Sequence, residues 1–123
     1  MSTTGKRVLV ADDMPHGREL MRTVLERCGY HVLEASNGIE ALQRIQDGHP
    51  DLVLLDIQMP GLNGYDVLAK IREDERFAKL PVIAVTANAM QGDRERALAA
   101  GFTQYLAKPV SLSTLRNELS ALL

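Results

Sequence analysis

Five polar residues sit where apolar runs end: Asp12, Asp13, Asp56, Thr86 and Lys108. Leu52-Val53-Leu54-Leu55 is an unbroken apolar run, the pattern of a strand buried on both faces. Asp56 closes it, and a carboxylate in that place is costly inside a core. Three carboxylates gathered in one cleft repel one another, and packing alone does not account for them. A hard cation such as Mg²⁺ relieves the repulsion, since it takes carboxylate, carbonyl and water oxygens. Lys108 is either a counter-ion to the acids or a point charge for a phosphoryl oxygen. A strand-end threonine such as Thr86 is common, and its hydroxyl gains meaning only if it donates to the same group. On this reading Asp56 is a nucleophile that accepts a phosphoryl group.

The elements that must position these residues follow in order. Arg7–Ala11 is an apolar run ending at Asp12-Asp13, and Pro15 suits the first turn of a helix carrying Leu20, Met21, Val24, Leu25 and Cys28. Gly29 stops that helix, and His31–Ala35 is a second strand. Ser36-Asn37-Gly38 caps a helix with Ile39, Ala41, Leu42 and Ile45 on one side, ended by Gly48-His49-Pro50. After the central strand, Met59-Pro60-Gly61 turns the chain and Asn63 caps a helix with Val67, Leu68 and Ile71 inward. Glu73–Arg76 reads as a solvated helix end. Leu80–Val85 is a fourth strand with Pro81 at its start, closed by Thr86. A weaker helix from about Met90 to Ala100 stops at Gly101. Gln104–Ala107 is the last strand, and Ser111 caps a final helix with Leu112, Leu115, Leu119 and Leu122 on one side.

Five repeats of strand then helix imply an α/β fold with a parallel sheet and helices on both faces. In such a sheet ligands bind beyond the C-terminal strand ends, where strand order reverses. Strand two ends in Ala35-Ser36, so it lies outside the site; if the other four are neighbours, their terminal side chains converge. The chain has 123 residues, 46% hydrophobic and 24% charged, which suits one soluble domain spanning residues 1–123. A net charge of −2 gives no basic surface for direct nucleic-acid binding. Cys28 is the single cysteine, so no internal disulfide forms. The polar N-terminus and short apolar runs give no signal peptide or membrane insertion, and a cytoplasmic location is expected. His16, His31 and His49 are scattered and form no transition-metal site.

Four stretches together carry a resemblance: Val8–Asp13, Asp51–Gly64, Pro81–Ala87 and Tyr105–Pro109. In this order and spacing the chain resembles the receiver domain of bacterial two-component response regulators over nearly its whole length. It is closest to single-domain cell-cycle regulators and receivers of hybrid kinases. The resemblance implies a doubly wound, flavodoxin-like (βα)₅ three-layer sandwich with sheet order 2-1-3-4-5. It makes Asp56 the phosphoacceptor. Asp13, Asp56 and the Gln58 carbonyl become Mg²⁺ ligands, with Asp12 acting through metal-bound water. Thr86 and Lys108 become contacts to the phosphoryl oxygens, Tyr105 the switch residue, and Lys108-Pro109 a cis bond. Gln58 and Asn88 fall at positions that set the lifetime of the phosphate.

The function so implied is that of a phosphorelay switch, with self-phosphorylation and autodephosphorylation but no turnover chemistry. Its phosphodonor is a histidine kinase or histidine phosphotransfer protein. Its downstream protein target meets the face of the fourth helix, fifth strand and fifth helix. Three alternatives stand beside it. One is a receiver-fold docking module that works without phosphorylation. Another is a flavodoxin-type cofactor binder, which would want a Ser/Thr/Gly-rich loop where Asp12-Asp13 stands. The third is an aspartate-nucleophile phosphatase, which usually places a second acid where Gln58 stands. With no output domain expected after the last helix, the chain is either a stand-alone regulator or a piece of a larger one.

Overall fold

Parallel pairing orders the chain. The structure, a computed structural model, describes residues 5–87 and 89–123. Strands β1 (Arg7–Ala11), β2 (His31–Ala35), β3 (Leu52–Asp56), β4 (Val82–Thr86) and β5 (Gln104–Ala107) form one sheet in the order β2-β1-β3-β4-β5. All four pairings are parallel. Helices α1 (Pro15–Arg27), α2 (Gly38–Gly48), α3 (Gly64–Glu73) and α4 (Asp93–Ala100) supply the four crossovers, and α5 (Leu112–Leu122) follows the last strand. Every residue of β3 and β4 is buried, as strands covered on both faces must be.

Side chains alternate across the sheet and split the core in two. Leu9, Ala11, Val53, Leu55, Val82 and Ala84 face α2, α3 and α4, together with Phe77, Phe102 and Tyr105. Val8, Val10, Leu52, Leu54, Ile83 and Val85 face α1 and α5 through Leu25, Leu115 and Leu119. Asn37, Asn63 and Ser111 each cap the helix they precede, accepting from the backbone N–H of Glu40, Asp66 and Thr114.

Three expectations are corrected. Helix α4 starts at Asp93 rather than Met90, because Gly92 takes a left-handed conformation (φ 87°) and the Asp93 carboxylate accepts from the Met90 N–H. The charge run does not simply end a helix: α3 stops at Glu73 and a single 3₁₀ turn, Glu75–Phe77, follows with Phe77 buried. Leu20, Ile39 and Leu112 are exposed rather than inward, each at the margin of its apolar stripe. No helix among the described residues is long and apolar enough to cross a membrane.

Candidate functional site

Register brings the acids together. Ala11 pairs with Leu55 and Asp56 with Val85, so the residues that follow or close β1, β3 and β4 meet at one rim. Among the described residues the buried polar or charged side chains are Asp12, Asp56 and Thr86, 7%, 6% and 3% exposed. All three lie at this rim. Burying polar groups is unfavourable, and here the three such side chains share one place.

Lys108, directly after β5, reaches across the rim. Its Nζ donates to Asp12 Oδ2 at 2.9 Å and to Asp56 Oδ2 at 3.2 Å. The Gln58 N–H donates to Asp56 Oδ1 at 3.0 Å, and the Met14 N–H to Asp12 Oδ1 at 2.9 Å. Burial outweighs these contacts at Asp56 and, with the Asp12 charge adding, raises its carboxyl above the usual carboxylate range. Burial lowers the Lys108 ammonium, but the hydrogen bonds and charges of Asp12 and Asp56 outweigh it and the net shift is upward. Carboxylate oxygens of Asp12, Asp13 and Asp56 lie within 4.8 Å of one another, a set of hard oxygen donors that suits Mg²⁺.

The rim is braced by backbone. Lys108 N–H donates to Thr86 O at 2.8 Å and Ile57 N–H to Val85 O at 3.1 Å. The Lys108-Pro109 bond is cis. Two glycines clamp the loop after β3. A Cβ on Gly64 would meet the Ile57 Cα at 2.7 Å, and one on Gly38 would meet the Leu62 O at 2.6 Å. Of the residues singled out in the sequence, Asp12, Asp13, Asp56, Thr86 and Lys108 gather at the rim, and Gln58 joins them through its backbone. Tyr105 sits on β5 three residues before Lys108, buried in the α3/α4 half of the core. Asn88 lies outside the described residues. Sequence reasoning missed Arg18, whose guanidinium donates to Asp12 O at 2.8 Å and to Glu34 at 3.2 Å. Nothing local to Arg18 announces that role; it depends on how α1 crosses β1 and β2.

Comparison with known proteins agrees with this geometry. The response regulator receiver domain pattern matches residues 8–120. The polar-differentiation response regulator DivK of Brucella ovis is 40% identical over 107 residues, covering 87% of each chain. The chemotaxis response regulator CheY4 of Vibrio cholerae superposes with a TM-score of 0.89 at 28% identity, covering 98% of this chain and 100% of that one. The receiver domain of sensor histidine kinase PA1611 from Pseudomonas aeruginosa, solved with a magnesium ion coordinated in its active site cleft, gives 0.88 at 36% identity over 97% and 98%. By the sheet order, the acid rim and these likenesses, the chain belongs to the response regulator receiver domain family, two-component signalling switches rather than turnover enzymes.

Proposed function

We propose that Asp56 accepts a phosphoryl group from a phosphohistidine of a histidine kinase or histidine phosphotransfer protein. The observation that carries this is the concentration of buried polar groups at one rim: Asp12, Asp56 and Thr86, with Lys108 bridging the two acids. Asp56 Oδ1 is oriented by the Gln58 N–H, and Oδ2 faces Lys108. The carboxylate attacks phosphorus in line, the bond to the histidine nitrogen breaks, and an aspartyl phosphate remains. Lys108 then follows a phosphoryl oxygen in place of the carboxylate oxygen it loses, and Thr86 donates its hydroxyl to another. Asp12, Asp13, Asp56 and the Gln58 carbonyl would hold Mg²⁺, which when bound offsets charge on the transferring oxygens. Small phosphodonors serve the same carboxylate, and water later removes the group. The new charge draws Thr86 toward it, and Tyr105 follows into the space, reshaping the α4, β5 and α5 face that meets a downstream protein.

Acetyl phosphate with Mg²⁺ tests the first step. Intact mass is expected to rise by one phosphoryl group in the wild type and not in Asp56→Asn. An unmodified wild type, with its fold verified by circular dichroism, would favour a docking module that works without phosphorylation.

A further inference from the structure

Two of the three rim carboxylates are each held by two donors. Asp12 accepts from the Met14 N–H and from Lys108, both at 2.9 Å. Asp56 accepts from the Gln58 N–H at 3.0 Å and from Lys108 at 3.2 Å. Among the described residues nothing donates to the Asp13 carboxylate, so the backbone sets its place at the rim. That backbone is held from α1. The carbonyl of the peptide joining Asp12 to Asp13 accepts from Arg18 Nη1 at 2.8 Å, and Arg18 Nε donates to Glu34 Oε1 at 3.2 Å. Glu34 lies on β2, opposite Val10 of β1. One guanidinium therefore ties the loop after β1 to the neighbouring strand, and its rigid fork lets it serve a carbonyl and a carboxylate at once. The preceding peptide is fixed to the same strand, the Asp12 N–H donating to Ala35 O at 3.0 Å.

We propose that Arg18 is a positioning residue for the cation: its hydrogen bond to the Asp12 carbonyl, anchored on Glu34, holds the Asp13 carboxylate where Mg²⁺ takes it. This rests on the reading of the acid rim as a Mg²⁺ site. Charge and position predict opposite signs. If Arg18 acted only as a positive charge near the rim, its loss would tighten cation binding; as a hold on the loop, its loss weakens it. Arg22 supplies the control. It donates to the other Glu34 oxygen at 2.7 Å and to Glu26 at 3.1 Å, and its side chain is 48% exposed against 19% for Arg18.

The test compares Arg18→Met with Arg22→Met, since Met keeps the helix propensity and the apolar stem. Circular dichroism verifies the fold, and Arg18→Gln replaces a Met variant that does not fold. In metal-free protein, Arg18→Met quickens hydrogen exchange at the Met14 N–H about three- to ten-fold. Mg²⁺ titrations followed by amide chemical shifts give a dissociation constant about ten-fold higher. Arg22→Met, which loses an exposed ion pair, moves either quantity by less than about two-fold. Equal or tighter Mg²⁺ binding by the Arg18 variant overturns the proposal, as do unchanged exchange at Met14 and equal losses in both variants. A wild type that takes no Mg²⁺ overturns the reading of the rim as well; failure of the proposal alone shows as a wild type and an Arg18 variant that bind the ion alike.

Discussion

Gly64→Ala is the sharpest test of how the fold positions the acid rim. The added methyl carbon would stand 2.7 Å from the Ile57 Cα, 3.3 Å from the Asp56 O and 3.4 Å from the Ile57 Cβ. Comfortable carbon–carbon separation is about 3.5–4.0 Å, so the overlap with Ile57 is roughly 1 Å. The obstacle is backbone, and no side chain can rotate out of the way. The loop after β3 and the start of α3 must therefore part, straining the Gly64 N–H to Ile57 O bond of 2.8 Å. Overpacking of this kind costs about 1–3 kcal/mol. At roughly 4 °C per kcal/mol for a chain of this size, the melting temperature falls by about 4–12 °C. Because Asp56 and Gln58 flank Ile57, the same displacement weakens Mg²⁺ binding, read as a smaller thermal shift on adding the ion. Melting by circular dichroism, with and without Mg²⁺, gives both numbers. A Gly64→Ala protein that melts within about 1 °C of the wild type and responds equally to Mg²⁺ would refute the reasoning.

Four further outcomes follow from the same geometry. Lys108→Ala leaves Asp12 and Asp56 buried without their shared cation and should destabilise the metal-free protein by about 1–3 kcal/mol, much of it recovered with Mg²⁺; urea unfolding in both conditions checks this. The Asp56 carboxyl titrates above the ordinary range because it is buried, so the fold holds its proton more tightly than the unfolded chain does. This group's contribution to metal-free stability therefore falls as pH rises through the window between the ordinary and raised values, and Mg²⁺, which must displace that proton, binds more weakly as pH drops through the window; Mg²⁺ titrations in a series of buffers from about pH 7 down to the ordinary carboxylate value of about 4 read the difference, and an affinity that does not fall anywhere in the series would contradict it. Arg72 donates to the carbonyls of Phe77, Leu80 and Gly101, so Arg72→Ala should destabilise by about 2–4 kcal/mol while leaving acceptance of a phosphoryl group intact, measured by unfolding alongside intact mass. With three tyrosines and no tryptophan, 3-fluorotyrosine labelling gives three signals; beryllofluoride should move the Tyr105 signal and leave that of Tyr30, which packs in the other half of the core, in place.

The parts of the fold legible in the sequence are those fixed by period and punctuation. Leu52–Leu55 had to be a buried strand, and Asn37, Asn63 and Ser111 had to cap helices, because apolar runs and side-chain caps are local properties. The strand-end position of Asp12, Asp56, Thr86 and Lys108 was equally local, although their convergence depended on the sheet order 2-1-3-4-5, which came from family resemblance. What escaped was non-local or set by a single torsion. The start of α4 turns on the left-handed Gly92, and the 3₁₀ turn at Glu75–Phe77 on the need to bury Phe77. The three carbonyls held by Arg72 belong to the 3₁₀ turn, the approach to β4 and the end of α4, and no window of sequence contains all three. Leu20 and Leu112 fit an apolar stripe by spacing, yet they line a cavity of about 620 Å³ between α1 and α5 that opens beside Asp12 and Lys108.

The most direct measurement of the central claim is to locate the phosphoryl group itself. The protein is incubated with acetyl phosphate and Mg²⁺, trapped with borohydride, digested, and its peptides sequenced by mass spectrometry. Conversion confined to position 56, and absent without Mg²⁺, is the predicted result. Label on Asp12, Asp13 or a histidine, with position 56 unmodified, would contradict it.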